Sequence, residues 1–276
     1  MEMTSNSTAL LEKKCAEIRL NILQMIAEAG TGHPGSSLSC VELLVALYYR
    51  VMRFRPTDLM WKERDYLILS KGHAAPALYS ILFDLGILPR EDIWGLRKFG
   101  TALQGHPDVR FTSGVEVSTG SLGQGLSVGI GLALGAQRRE LRSRTFVIVG
   151  DGESQEGQIW EAGLVASSLG LDNLCGIIDY NGIQHDGRVE DIISLSPLSE
   201  KWTAFGWETI EVDGHDIDAI VSALERPVCG RKPRMIIAKT IKGRGVSYME
   251  DDWHWHSVAD AARMRNDFAP TEAFNA

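Results

Sequence analysis

The sequence predicts an α/β protein built as a doubly wound parallel sheet with helices on both faces. Three observations predict it. Two short apolar runs, residues 145–149 and 174–178, each end in a turn rich in Gly, Asp and Asn. Between them, residues 157–169 place Ile159, Ala162, Leu164, Val165 and Leu169 at helix-like spacing. Strand, helix and strand at this length form a βαβ unit, whose strands run parallel. Further along, residues 208–212 and 235–239 read as two more strands with a helix between them at 217–224. That order winds helices onto both faces of one sheet.

From the N-terminus, Leu11, Cys15, Ile18, Ile22, Met25 and Ile26 recur at helical spacing, which predicts an amphipathic helix over 9–29. Gly30 and Gly32 end it. A turn at 34–37 follows, with Ser36 or Ser37 expected to cap a second helix through about Met52. Residues 66–69 read as a short strand, and its end, Ser70-Lys71-Gly72-His73, feeds a helix over about 74–85. Residues 90–118 read as irregular, broken by Gly100, Gly105 and Pro107. A loop of that length inside a compact domain is more often functional than idle. Residues 122–141 read as a Gly-rich helix whose small residues let another backbone pack close, so it is expected to be buried, in this chain's core or at a subunit interface.

Composition narrows the class. With 276 residues, 44% hydrophobic and 23% charged, the chain has ample core. No Pro- or Ser-rich linker and no repeat divides it. The expectation is one domain over 1–276, with an N-terminal helical arm at 9–29 and a tail at 258–276. Net charge is −8 with both signs interspersed, which argues against a nucleic-acid footprint. Cys15, Cys40, Cys175 and Cys229 lie far apart without a C-x-x-C, which argues against a metal cluster or disulfide framework. Reduced, buried thiols are expected at the first three. The N-terminus shows no signal-peptide pattern. No apolar stretch reaches membrane-spanning length, so a cytoplasmic protein is expected, with no membrane partner.

The chemistry is expected at the ends of the two central strands. Gly150-Asp151-Gly152 and Asn181-Gly182 both fall at carboxyl ends of parallel strands, where open α/β sheets bind ligands. Asp151, Asn181 and the Ile183 carbonyl are hard oxygen donors that together make half an octahedron. Mg2+ completes such a shell with water and phosphate oxygens, so the pair of strand ends reads as a seat for a divalent cation carrying a diphosphate. The flanking glycines let backbone approach the anion. A capping aspartate and an ordinary Asn-Gly turn are the plainer alternative.

GDG, some thirty residues, then N resembles the thiamine diphosphate signature of enzymes such as transketolase, and Gln155-Glu156-Gly157 narrows the resemblance to the transketolase branch. Gly32-His33-Pro34-Gly35, Ser70-Lys71-Gly72-His73, Gly105-His106-Pro107 and the run Thr119-Gly120-Ser121-Leu122-Gly123-Gln124-Gly125 also match that branch, which the chain resembles from about residue 10 to about 258. The resemblance implies thiamine diphosphate and Mg2+, or Ca2+ or Mn2+ in its place. The metal would sit on Asp151, Asn181 and Ile183, and the cofactor on Gly150, Asp151, Gly152 and Asn181. It further implies that His33 and His106 bond the hydroxyls and carbonyl oxygen of the donor sugar, with His73 beside the cofactor. Gly120, Ser121 and Leu122 resemble the segment whose backbone contacts the aminopyrimidine, although the family often has Pro at the place of Ser121. Within Trp253-His254-Trp255-His256, the match favours His256 over His254 as the histidine facing the diphosphate and donor. Glu156 matches a glutamate that meets the partner domain's activating glutamate. His215, in Val212-Asp213-Gly214-His215, reads as structural.

The chain looks like the N-terminal half of a transketolase. The resemblance therefore implies a separate C-terminal subunit with the pyrimidine-binding and C-terminal domains, an α2β2 heterotetramer, and transfer of a two-carbon ketol unit between sugar phosphates. Neutral imidazoles suit such work because they donate and accept near neutral pH. The rivals are another thiamine diphosphate enzyme, similar to 1-deoxyxylulose phosphate synthase or decarboxylating, and a non-catalytic regulatory subunit that kept the fold. A phosphohydrolase is a weaker rival, because no nucleophile adjoins Asp151.

Overall fold

The computed structural model describes residues 7–268. Helix α1, Thr8–Ala29, ends where Gly30 enters the left-handed region at φ 67° and its N–H caps the carbonyls of Ile26 and Ala27. Its stripe of Leu11, Cys15, Ile18, Ile22, Met25 and Ile26 is buried. The expected arm is thus a core helix. Helix α2, Pro34–Ser39, starts before either expected cap. Proline fits a first helical turn because it has no N–H to leave unpaired, and the Ser37 hydroxyl instead donates back to the His33 carbonyl at 2.8 Å. Helix α3, Val41–Ala46, follows, then a π turn over Leu47–Val51, so the expected single helix is broken in the middle.

Strand β1, Tyr66–Leu69, leads through a 3-10 turn into α4, Ala75–Asp84. Residues 90–118 are irregular as expected, apart from a 3-10 turn at Arg90–Gly95. Then come α5, Gln124–Arg138; β2, Thr145–Gly150; α6, Gly157–Leu169; and β3, Leu174–Tyr180. A small hairpin, β4 (Ile183–Gln184) and β5 (Gly187–Arg188), precedes the short helices α7, Val189–Ile192, and α8, Leu198–Ala204. Strand β6, Glu208–Asp213, helix α9, Ile217–Glu225, and strand β7, Arg234–Lys239, complete the winding. Helix α9 starts under an N-cap, the Asp216 carboxylate accepting from the Ala219 N–H at 3.0 Å. Helix α10, Ala261–Phe268, packs back on α1 with Met264 fully buried, so residues 261–268 of the expected tail belong to the fold. Residues 1–6 and 269–276 of the expected domain lie outside the described residues.

The five long strands form one parallel sheet in the order β1-β2-β3-β7-β6. Alternation along each strand divides its side chains between two cores. Phe146, Ile148, Ile177, Ile236 and Ala238 join the core under α1, α3, α4 and α9. Val147, Val149, Ile178, Met235 and Ile237 join the core under α5, α6 and α8. The fold is therefore doubly wound, as expected. Helix α5 is buried along one face by the sheet. A Cβ on Gly125 would lie 2.4 Å from Ser70 Oγ and one on Gly129 2.5 Å from Val147 Cγ2, so these two glycines permit close packing on the sheet. Gly131 and Gly135 meet nothing, so α5 buries one face only.

At the carboxyl end of the sheet, a buried ion pair joins elements far apart in sequence. Lys71, just past β1, pairs with Asp179 near the end of β3, their side chains 1% and 0% exposed. Lys71 Nζ also donates to the Ser36 carbonyl of α2 at 2.8 Å. Asp179 accepts from the Ser39 hydroxyl at 2.6 Å and from the Thr240 hydroxyl just past β7. Burial alone would raise Asp179, but Lys71 and the hydroxyls hold its carboxyl below the usual range. Removing one member of such a pair leaves a buried charge uncompensated, at a cost of about 3–5 kcal/mol. Lys71→Met is predicted to destabilise the fold by roughly that amount in urea unfolding. A loss within about 0.5 kcal/mol, typical of surface substitutions, would show that the pair is not structural.

Candidate active site

A cavity of about 360 Å³ opens at the carboxyl ends of β2 and β3, the position expected from the strand-end motifs. Asp151, first residue past β2, is buried, and its carboxylate accepts the N–H groups of Gly152 at 2.7 Å and Gly182 at 2.5 Å. One carboxylate thus bridges the ends of both strands. Burial, then the neighbouring Asp179 charge, raises its carboxyl to about 6. Asn181 Oδ1 accepts the Ile183 N–H at 3.1 Å, and its amide nitrogen donates to Asp179 at 3.3 Å. The Ile183 carbonyl accepts from Lys242 Nζ at 2.9 Å. An ammonium therefore meets the carbonyl that the sequence assigned to a cation.

Lys242 is itself buried. Burial lowers it to about 8, with the Asp151 carboxylate opposing. Among the described residues it has no carboxylate within ion-pair distance, whereas Lys71 has Asp179. Two carboxylates, Asp151 and Asp179, and two ammoniums, Lys71 and Lys242, give the cavity floor both signs of charge, which suits a metal-bound diphosphate. Gln184 Oε1 lines the same cavity, buried and without a hydrogen-bond partner in the protein. No group of three or more His, Cys, Asp or Glu among the described residues is arranged for a metal. Asp151, Asn181 and Ile183 would thus hold an ion only with ligand or water oxygens completing its shell, which suits Mg2+.

Glu153 organises the approach. One of its oxygens accepts from the Ser70 hydroxyl and from the Gly123 N–H at 3.0 Å, and the other from the Gly150 N–H at 2.9 Å. It pins the turn after β2 to the loop before α5. Gly120, Ser121 and Leu122 lie in that loop and not in a helical turn, because α5 begins only after Gly123, at φ 84°. Gly120 touches both neighbours: its N is 2.7 Å from where a Cβ on Gly72 would sit, and a Cβ of its own would be 2.9 Å from His106 Cδ2. Leu122 lines the cavity and Ser121 is exposed. Glu156 is exposed on the cavity rim, at the N-cap of α6 but without a side-chain capping bond.

Five imidazoles converge beside the cavity. His33 lies 5.3 Å from His73, 6.4 Å from His106 and 5.4 Å from His256, ring centre to ring centre. His256 lies 5.2 Å from His73 and 5.1 Å from His185. Burial first, then nearby Arg97, Lys71 and Lys242, lowers His33 to about 4 and also lowers His73, His106 and His256, so all four are neutral at pH 7. His254 stays outside, stacked on Trp253 and bonded to Asp252 at 2.7 Å, whereas His256 lines the cavity. His215 is structural as expected. Its Nε2 accepts the Ile241 N–H at 2.8 Å, and Nδ1 meets Glu42 at 3.1 Å. A larger groove, about 540 Å³, runs past the ends of β6 and β7, but His215 there is held in these bonds and Lys239 pairs with Glu211.

Sequence reasoning missed His185, Lys242, Arg97, Glu153 and the Lys71–Asp179 pair. His185 escaped because it follows Gln184, while every other cluster histidine except His256 follows a glycine. Lys71 and Asp179 stood inside motifs already singled out; an Asp closing a fully apolar strand was the available signal.

The sequence matches the profile of the transketolase thiamine diphosphate binding domain over residues 11–274. It is 46% identical over 249 residues to the 6-deoxy-6-sulfo-D-fructose transketolase subunit SqwG of Clostridium sp. (strain MSTE9), covering 90% of each chain. It is 40% identical over 255 residues to a subunit of the apulose-4-phosphate transketolase of Phocaeicola vulgatus, covering 92% of this chain and 90% of that one. Among solved structures, the transketolase of Pichia stipitis in complex with sedoheptulose-7-phosphate superposes with a TM-score of 0.89 at 33% identity, covering 97% of this chain. The chain spans 42% of the length of that enzyme. It therefore belongs to the transketolase family, as the N-terminal, thiamine diphosphate-binding part of such an enzyme.

Proposed function

We propose that this chain is the diphosphate-binding subunit of a two-component transketolase, which moves a two-carbon ketol unit from a ketose to an aldose with a C-terminal partner subunit. The observation that carries the reading is the convergence of neutral imidazoles beside a cavity whose floor offers Asp151, Asn181 and Lys242. Thiamine diphosphate, when bound, supplies the electron sink for the carbon–carbon bond change. Everything else asked of this chain is binding, orientation and hydrogen bonding.

Asp151, Asn181 and the Ile183 carbonyl would hold Mg2+, and Gly150, Gly152, His73 and Lys242 would surround the diphosphate. Gly120, Ser121 and Leu122 would present backbone to the ring. His33, His106 and His256 would orient sugar oxygens, and Glu156 on the rim would meet the partner's activating carboxylate. Anionic sugars as substrates are supported by the names of the relatives, one a sulfonated and one a phosphorylated sugar. Relatives of matching length are named as subunits, which supports a separate partner, with which this chain would form the α2β2 assembly. No helix among the described residues is long and apolar enough to cross a membrane, which is consistent with a cytoplasmic enzyme.

Three measurements test this reading. Asp151→Asn and Asn181→Ala are each predicted to weaken Mg2+-dependent cofactor binding in the assembled enzyme by about 100-fold or more, as read by calorimetry, since even residues behind metal ligands are worth 10- to 100-fold. Circular dichroism should stay native, and an unchanged affinity would remove the metal assignment. His106→Ala is predicted to bind cofactor normally and to slow turnover roughly 10²- to 10⁴-fold; wild-type turnover would make its loop merely structural. This chain assayed alone with saturating Mg2+ and thiamine diphosphate is predicted to show no ketol transfer, which addition of the partner restores. Turnover by the homogeneous chain alone would refute the two-component reading.

A further inference from the structure

Arg97 belongs to no motif, yet the loop between α4 and α5 goes out of its way to aim it. Its φ is 59°, a left-handed conformation that residues other than glycine rarely adopt. The Arg97 N–H, donating to the Leu103 carbonyl at 2.8 Å, fixes that turn. From there the guanidinium points at the histidine cluster, 3.3 Å from His33 Nδ1 and 3.3 Å from Thr31 Oγ1. Gly105, immediately before His106, makes room for it: a Cβ there would lie 2.8 Å from Arg97 Nε. Arg19 has Glu42, Arg188 has Asp251 and Arg244 has Glu250. Arg97, although partly buried, has no carboxylate within ion-pair distance among the described residues, so its bond to His33 is not a by-product of a salt bridge.

We propose that Arg97 is a positioning residue for ketol transfer, whose guanidinium locks His33 into the tautomer with Nδ1 as acceptor and Nε2–H as the donor offered to a sugar oxygen. The inference deepens the function proposed above and rests on it. A guanidinium can only donate, so His33 Nδ1 must accept. A neutral imidazole that accepts at one nitrogen carries its proton on the other. No hydrogen bond within the described residues takes up His33 Nε2, which leaves that N–H for a ligand. The groups facing His33 are Arg97, His73, His106 and His256, with Lys242 and His185 behind them. All are bases or cations, so nothing there favours an imidazolium. Arg97 thereby does two things at once. It selects the tautomer and, next to burial, it contributes most to keeping the ring uncharged.

The test uses the assembled enzyme with this chain carrying Arg97→Gly or Arg97→Lys. Glycine adopts the left-handed backbone freely, so the loop keeps its path while the guanidinium is lost. Arg97→Gly is expected to lower kcat/KM about 10- to 100-fold, the scale of a mis-set contact, with melting temperature and cofactor affinity unchanged. Removing a cation beside a base lets it protonate at higher pH, so the acid limb of the kcat/KM profile should move up by roughly one unit. Arg97→Lys, which keeps charge and donor, should recover part of the rate and return the limb towards wild type. A wild-type acid limb in Arg97→Gly would overturn the proposal, as would a rate loss accompanied by an equal loss of thermal stability. Nitrogen-15 NMR of this chain labelled at histidine, with His33→Gln to assign the signals, reads the tautomer without any turnover. Nε2 protonated in wild type and a mixed ring in Arg97→Gly are expected; wild-type His33 protonated at Nδ1 would overturn the proposal. If the wild-type assembly transferred no ketol unit, the proposed function would fall, while the NMR result would still decide what Arg97 does to His33.

Discussion

A charge removed from water must find its opposite, and the Lys71–Asp179 pair meets that constraint at the centre of the sheet's carboxyl end. The remaining site geometry depends on it. Lys71 draws the Ser36 carbonyl and hence the start of α2, which follows His33 directly. Asp179 holds Ser39 of α2 and Thr240 past β7, and takes the Asn181 amide. Four elements meet on one carboxylate, and Asp151 lies close enough to feel its charge. Lys242, arriving from the loop after β7, offsets that second carboxylate from across the cavity. The alternation of acid and base gives the cavity floor both signs of charge, as the proposed metal and diphosphate would require.

Glu153 shows a different solution to the same constraint. It has no ammonium in contact, and three donors at the ends of β1, β2 and the loop before α5 surround it instead. Burial raises its carboxyl, with the hydrogen bonds working against that shift. A carboxylate so placed behaves as a clamp on backbone. It keeps the turn at Gly150 and the loop at Gly123 in register, and these are the two segments that frame the cavity.

Much of this was legible in the sequence, for a physical reason. Motifs such as Gly150-Asp151-Gly152 and Gly105-His106-Pro107 were legible because each is a short contiguous run, even though the glycines at 105 and 152 make room for Arg97 and Gln184 from elsewhere in the chain. The strands were legible because both faces of a parallel sheet are buried, which makes residues 145–149 and 174–178 continuously apolar. The failures came where distant chain decides the outcome. Nothing in residues 9–29 says whether an amphipathic helix will lie on its own core or on another molecule, and here its own core takes it. The break at Cys40, between α2 and α3, follows directly on Ser36 and Ser39, which bond Lys71 and Asp179. Lys242 and Arg97 act at 59 and 64 residues from the atoms they touch, Ile183 and His33, so no spacing rule reveals them.

The histidine cluster follows from the same electrostatics read in reverse. Imidazoles within 5–7 Å of one another stay uncharged when they are buried and no free acid faces them. Here the acids are spoken for: Asp151 binds backbone N–H groups, Asp179 binds Lys71 and hydroxyls, and Glu153 binds three donors. None of them bonds an imidazole among the described residues. Burial first, and then the cations Lys71, Lys242 and Arg97 beside the rings, hold them neutral. A surface of this kind offers several N–H donors and several lone pairs with no net charge of its own. It can grip a run of hydroxyls and a carbonyl oxygen without stabilising a bare ion, which is the recognition problem a sugar chain poses.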